Sequence, residues 1–157
     1  RKDGIYNVLC MHGEAGNPAS AYNPVTVEDL AASGMDYAAL GHIHQASGLQ
    51  RSGNTWYSWP GCPEGRGFDE TGDKTVNLIT LEGSAASLET RSILRRRYYS
   101  LTLDVTGKDP LLLIHTSPPD VPSEDIYRII LTGSSEHSPD LRRLHRNLDG
   151  MFFSLQL

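Results

Sequence analysis

Two apolar runs in this chain end at a histidine beside a glycine, and that shared ending constrains the fold more than any other feature. Residues 37 to 44 read Tyr-Ala-Ala-Leu-Gly-His-Ile-His. As a buried strand, this run carries Gly41 where the backbone turns at its end, and His42 and His44 then project from neighbouring positions at the rim of a sheet. Upstream, Val8-Leu9-Cys10-Met11 leads into His12-Gly13-Glu14 in the same way. Three imidazoles are therefore expected to converge at adjacent strand ends. Imidazole readily ligates divalent transition metals near neutral pH, so His12, His42 and His44 are the candidate metal ligands.

A lone histidine at a strand end is more often a hydrogen-bonded structural residue, and it is the set of three that favours a metal. Standard zinc spacings are missing: the chain has no Cys-x-x-Cys and no His-Glu-x-x-His, which argues against a structural zinc site. His115, His137 and His145 share no pattern and read as ordinary surface or packing residues.

With 157 residues, the chain holds one ordinary domain or two small pieces. No apolar stretch approaches the roughly 20 residues needed to cross a bilayer. It begins Arg1-Lys2-Asp3-Gly4, without Met or an apolar leader core, as expected of a piece cut from a longer protein. Two cysteines, Cys10 and Cys62, are too few for a disulfide framework and suit a reducing cytoplasm. A net charge of -5 speaks against a broad nucleic-acid surface. Local basic patches remain, Arg91 with Arg95, Arg96 and Arg97, and Arg142 with Arg143 and Arg146, for which a solvated face is the simpler reading.

Along the chain, a strand is expected over Ile5 to Met11, then a polar loop from Asn17 to Pro24. Thr26 followed by Asp29 is a capping-box pair that opens a helix ending near Ser33-Gly34. Thr55 to Trp59 alternates as a strand, and Thr75 to Leu81 with Ala86 to Ile93 forms a hairpin around Glu82-Gly83-Ser84. Between them, Pro60 to Gly72 is a loop rich in turn formers whose backbone amides approach whatever it faces. Arg66 in that loop suits a phosphate, or else pairs with Glu64, Asp69 or Glu70 to order the loop. After a basic connector from Leu94 to Arg97, the pattern is a small β-α-β-α-β unit. Its strands are expected at Tyr98 to Val105, Ile126 to Leu131 and Met151 to Leu157. Its helices are expected at Asp109 to His115 and from Ser138-Pro139 to Gly150, with Leu141, Leu144 and Leu148 on one face.

Three segments together resemble the calcineurin-like metallophosphoesterases: His12-Gly13-Glu14, the stretch from Met35 to His44, and Trp59-Pro60-Gly61-Cys62-Pro63-Glu64-Gly65-Arg66-Gly67-Phe68-Asp69-Glu70. Within that superfamily the Pro-Gly-x-Pro-Glu-Gly-Arg segment is most similar to DNA-repair exonucleases of the SbcD type. Asp125 to Gly133 is similar to their capping domain. The resemblance implies an α/β (α+β) chain: residues 1–94 as the C-terminal half of a metallophosphoesterase β-sandwich, and residues 95–157 as part of a small β-α-β-α-β cap. It also implies two divalent ions in the parent protein, manganese before iron or zinc, with His12 and His42 on one ion and His44 on the other. The implied partners are DNA and an SbcC-like coiled-coil ATPase. The rival readings are a small-molecule phosphodiesterase of the same superfamily and a non-catalytic binding or assembly module.

The family's other motifs, Asp-x-His, Gly-Asp-x-x-Asp and Gly-Asn-His, do not occur in this sequence. By resemblance, the bridging carboxylate, the Asn ligand and the histidine that assists the leaving group are encoded upstream of Arg1, so no catalytic residue is expected in this chain. Two dications about 4 Å apart repel by about 17 kcal/mol at an effective dielectric of 20, and a bridging anion must offset that. Three neutral imidazoles supply none. The chain alone is therefore expected to bind metal weakly and not to hydrolyse DNA. A half sandwich also leaves an apolar face open, so either the missing half or a second copy is expected to cover it.

Overall fold

A computed structural model describes residues 4–119, 122–135 and 138–157. The chain is α+β and divides into two compact units, Arg1–Pro63 with Lys74–Ile93, and Glu64–Asp73 with Leu94–Leu157.

In the first unit the elements are β1 (Val8–His12), β2 (Glu14–Ala15), β3 (Pro24–Val25), α1 (Val27–Ala32), β4 (Tyr37–Gly41), β5 (Gln50–Ser52), β6 (Thr55–Ser58), β7 (Thr75–Glu82) and β8 (Ala85–Ser92). A four-stranded sheet runs in the order β1-β4-β6-β5, with β1, β4 and β6 parallel and β5 antiparallel. Parallel neighbours need a crossover, and α1 supplies the one between β1 and β4. The Thr26 hydroxyl accepts the Asp29 amide while the Asp29 carboxylate accepts the Thr26 amide, the reciprocal capping expected from the sequence. Losing such a Thr cap costs about 1 kcal/mol.

One face of that sheet holds the core. Strand alternation sends Ala38 and Leu40 of β4 and Tyr57 of β6 to the same side as Trp59, where they meet Leu30 of α1. Leu30 is 1% exposed, and burial of that kind contributes about 1.5–3 kcal/mol. On the other side, the Tyr37 hydroxyl lies 2.6 Å from Ser58 Oγ, which also accepts from the Asn77 side chain of β7. Trp56 Nε1 donates to the Ser84 carbonyl at the hairpin turn.

The second unit continues with β9 (Tyr98–Asp104), α2 (Pro110–Thr116), β10 (Ile126–Thr132), α3 (Leu141–Asn147) and β11 (Ser154–Gln156). Its three strands are all parallel in the order β11-β10-β9, so each helix is a crossover: a β-α-β-α-β unit as read from the sequence. Ile114, Tyr127, Ile129, Leu144, Leu148 and Phe152 form its core. The loop Glu64–Asp73 is fastened to β9: the Glu64 carboxylate accepts the Arg95 and Arg96 amides, Asp73 pairs with Arg97, and the Gly72 amide donates to the Tyr98 carbonyl. Phe68 meets Tyr98 edge to face, with the Arg128 guanidinium 4.1 Å above the Phe68 ring.

Several boundaries differ from the sequence reading. The first strand is Val8–His12, not Ile5 to Met11: Ile5 and Tyr6 are exposed and make no sheet ladder. The last strand is only Ser154–Gln156, because β11 pairs with β10 over three residues. Helix α3 starts after Asp140, whose carboxylate caps the Arg143 amide, not at Ser138-Pro139. Leu141 therefore sits on the first turn and stays 47% exposed, while Leu144 and Leu148 enter the core. His115 is exposed, and His145 is exposed with Nε2 3.2 Å from the Leu155 carbonyl. His137 lies outside the described residues. Cys10 and Cys62 are not joined in a disulfide. Among the described residues, no helix is long and apolar enough to cross a membrane.

Candidate metal centre

Because β1, β4 and β6 run in parallel, their carboxyl ends leave the sheet along one edge, and the turns leaving β1 and β4 meet there. His12, the last residue of β1, is in register with Gly41, the last residue of β4. A Cβ on Gly41 would lie 3.0 Å from His12 Nδ1, so the absence of a side chain leaves room for the imidazole to lie across the neighbouring strand. The turn itself is made one residue later than the sequence suggested. The left-handed backbone belongs to His42, at φ 89°, and not to Gly41. A non-glycine residue there is strained, which is found most often where a side chain must be aimed.

The aim brings two rings together. The His12 and His42 imidazoles meet edge to face, with centroids 5.2 Å apart and planes at 73°. Two imidazoles sharing one tetrahedral ion at a metal–nitrogen distance of about 2.1 Å have centroids roughly 5 Å apart. The pair therefore fits a shared divalent ion, and imidazole nitrogen is the donor such ions prefer. His44 is exposed and lies beyond the turn, with the Cys62 thiol donating to its backbone carbonyl at 3.6 Å.

Around the pair stand residues to which the sequence reading gave no role in the site. The Tyr22 ring lies 4.5 Å from that of His42, tilted by 31°. The Asn23 side-chain amide donates to the His12 carbonyl at 2.9 Å. Gly13 is squeezed between strands: a Cβ there would come within 2.7 Å of the Asn23 carbonyl oxygen. Behind the turns, the Trp59 indole N–H is shared by the carbonyls of Gly13 and Gly41, at 3.2 and 3.1 Å. Its signal in the sequence was the apolar strand end it occupies, since a buried indole must find an acceptor.

Glu14 supplies negative charge. Hydrogen bonds from Ser20 and Asn17, and to a lesser degree the nearby His42 ring, hold its carboxyl below the usual carboxylate range. It is therefore an anion at neutral pH beside the imidazole pair. A cleft of about 320 Å³ runs past Glu14, Ile43 and Ser47 to Trp59. Arg66, by contrast, belongs to the loop of the second unit. Its backbone amide donates to the Glu70 carboxylate at 2.8 Å, while its exposed guanidinium has no hydrogen bond or ion pair among the described residues.

Over 89 residues the sequence is 35% identical to the uncharacterized metallophosphoesterase YhaO of Bacillus subtilis (strain 168). That similarity supports a place among the metallophosphoesterases. The aligned part covers 55% of this chain and 22% of the relative, so the chain spans well under half the length of the curated protein it matches. No family model matches the chain. Metallophosphoesterases work with divalent metal ions, in keeping with the donor set at the ends of β1 and β4.

Proposed function

We propose that this chain carries the imidazole half of the metal centre of a phosphodiester-cleaving hydrolase, and that the parent is a DNA exonuclease of the SbcD type. The observation that carries the reading is the His12–His42 ring pair, 5.2 Å apart, where two parallel strands end. His12 and His42 would hold one ion and His44 would serve a second. A pair of bound divalent ions supplies hydroxide at neutral pH and stabilises charge on the phosphoryl oxygens.

The chain's own residues orient and tune that site. Asn23 and Trp59 fix the backbone carbonyls beside the two histidines, and Glu14 keeps an anion next to His42. The exposed Arg66 guanidinium is proposed to take a DNA phosphate, the bidentate pairing for which guanidinium is suited. DNA and an SbcC-like ATPase are the proposed partners of the parent, and manganese its proposed ion. The segment entering β1 leaves Ile5, Tyr6 and Val8 exposed at 53%, 43% and 56%, so association with a complementary segment or a second copy is proposed as well.

The test is an assay of the 157-residue chain with Mn²⁺ and a linear duplex. Weak metal binding that His42→Ala abolishes, without DNA degradation, is the expected result. Degradation by the chain alone would show that three histidines and Glu14 suffice. For the parent, cleavage of duplex DNA well above that of a chromogenic phosphodiester supports the exonuclease reading, and the reverse order replaces it with a small-molecule enzyme.

A further inference from the structure

The His42 backbone is in a conformation that its side chain does not favour, and two hydrogen bonds reach the Gly41 carbonyl of the peptide that sets it, a shorter one from a side chain and a longer one, 3.4 Å, from the Gly13 amide. With the flanking chain in place, the planar Gly41–His42 peptide rotates through opposed changes in Gly41 ψ and His42 φ, so a bond that holds the Gly41 oxygen resists a change in His42 φ. That oxygen is 3.1 Å from Trp59 Nε1. The same N–H is 3.2 Å from the Gly13 oxygen, directly after His12. Trp59 is 6% exposed and braced on both sides: its ring meets Tyr57 edge to face at 5.9 Å, its backbone amide donates to Ser47 Oγ at 3.0 Å, and its carbonyl accepts the Ser47 amide. A fixed donor thus spans the two turns that present the candidate ligands.

We infer that Trp59 is the positioning residue of this centre: its indole N–H, by holding the Gly13 and Gly41 carbonyls at once, keeps His42 in its left-handed conformation and so sets the His12–His42 separation. The inference rests on the metal-centre reading for its purpose, but its geometry does not require a metal. Without the N–H, the Gly41 oxygen keeps only the 3.4 Å bond from the Gly13 amide, which itself loses the anchor on its own carbonyl, so the Gly41–His42 peptide is expected to rotate, His42 to relax to negative φ and its imidazole to leave His12. Groups that orient ligands without touching the ion typically change metal affinity by about 10–100-fold. That is the loss expected here, in a variant whose core remains filled.

The experiment compares the wild-type chain, Trp59→Phe, and a chain carrying 3-benzothienylalanine at position 59, which keeps the bicyclic shape and removes only the N–H. In metal-free protein labelled at histidine, the wild type is expected to show a ring-to-ring nuclear Overhauser contact between His12 and His42. Both altered chains are expected to lose it while Tyr57 and Leu40 keep their native shifts. If Trp59→Phe fails to fold, the isosteric analogue alone decides. A His12–His42 contact that survives in the analogue overturns the positioning role. The same spectra are then recorded through a Mn²⁺ titration: selective broadening of His12 and His42 in the wild type, weakened about 10-fold or more in the analogue, supports the whole inference. Absence of broadening in the wild type overturns the metal purpose and leaves the contact measurement to judge the geometry.

Discussion

The imidazoles of His12 and His42 meet edge to face, 5.2 Å apart, although one ends β1 and the other follows β4, and a loop and a helix separate those strands in the chain. The parallel register of β1 and β4 makes the meeting possible, since it sets His12 beside Gly41 and leaves His42 to turn back over the strand end. If the pair shares an ion, either ring is indispensable. His12→Ala and His42→Ala are each expected to weaken Co²⁺ binding by more than about 10-fold, a lower bound taken from groups one shell further out. His115→Ala, on an exposed helix position of the second unit, is expected to change nothing. Equal losses in all three, read by cobalt absorption, would mean that the ion binds elsewhere.

The two glycines beside the pair make opposite predictions for stability and binding. An added Cβ at Gly13 meets backbone, the Asn23 carbonyl oxygen at 2.7 Å, which can move only by disturbing the β2–β3 pairing. Gly13→Ala is therefore expected to destabilise the chain by about 1–3 kcal/mol, the usual cost of overpacking. At Gly41 the added Cβ meets His12 Nδ1 at 3.0 Å, a side-chain atom that can swing away. Gly41→Ala should keep most of the stability and lose metal affinity. Denaturant unfolding alongside metal titration separates the two, and a Gly41→Ala chain that binds metal normally contradicts the packing argument.

Much of the fold was legible because its signals are local. Thr26 and Asp29 are three residues apart and form the cap that the pair announces; Gly83 marks a turn at the tip of the hairpin; and the alternation of strands and helices after Tyr98 matches the second unit's order. What stayed hidden depends on distant partners. The short strands β2, β3 and β5 exist only through pairing, and no two- or three-residue pattern advertises that. His42 hid its positive φ because glycine next door was the obvious candidate. Trp59 looked like an alternating strand residue, and its role emerges only when β1 and β4 bring two carbonyls within reach of one N–H.

Glu14 gives the centre a pH dependence whose sign is set by its environment. Ser20 and Asn17 hydrogen bonds, and then the His42 ring, favour the ionised carboxylate in the folded chain, so its folded pKa is lower than its unfolded one. The stabilisation is thus fully present above the unfolded pKa and is lost as pH falls through the lower folded value. Loss of the Asn17 side-chain amide resonance and the shift of the Glu14 carboxyl should track one another, at a pH below that of an ordinary glutamate. Glu14→Gln is expected to flatten this acid step while leaving the neutral-pH fold intact. An acid step unchanged in Glu14→Gln would assign it to another carboxylate, such as Asp29 or Asp104, whose pKa values are lowered by Thr26 and Thr106.

Tyr127 offers a prediction in which removing a polar atom helps. Its ring is fully buried, stacked on Tyr99 at 4.8 Å and tilted against Phe152 at 4.9 Å, so the packing is aromatic on both sides. Its hydroxyl has no hydrogen-bond partner among the described residues, and burial, with Tyr99 and Asp125 adding to it, pushes the phenol up to about 12. The group is therefore neutral throughout the ordinary pH range and contributes desolvation cost without a protein bond in return. Tyr127→Phe keeps the stack and deletes the oxygen, so it is expected to raise stability by about 1 kcal/mol, whereas breaking a satisfied buried hydroxyl would lower it by a similar amount. Urea unfolding distinguishes the two signs. A destabilised Tyr127→Phe would mean that the hydroxyl is held by a bond of its own in solution, and the core of the second unit would then be built around a polar contact instead of ring packing alone.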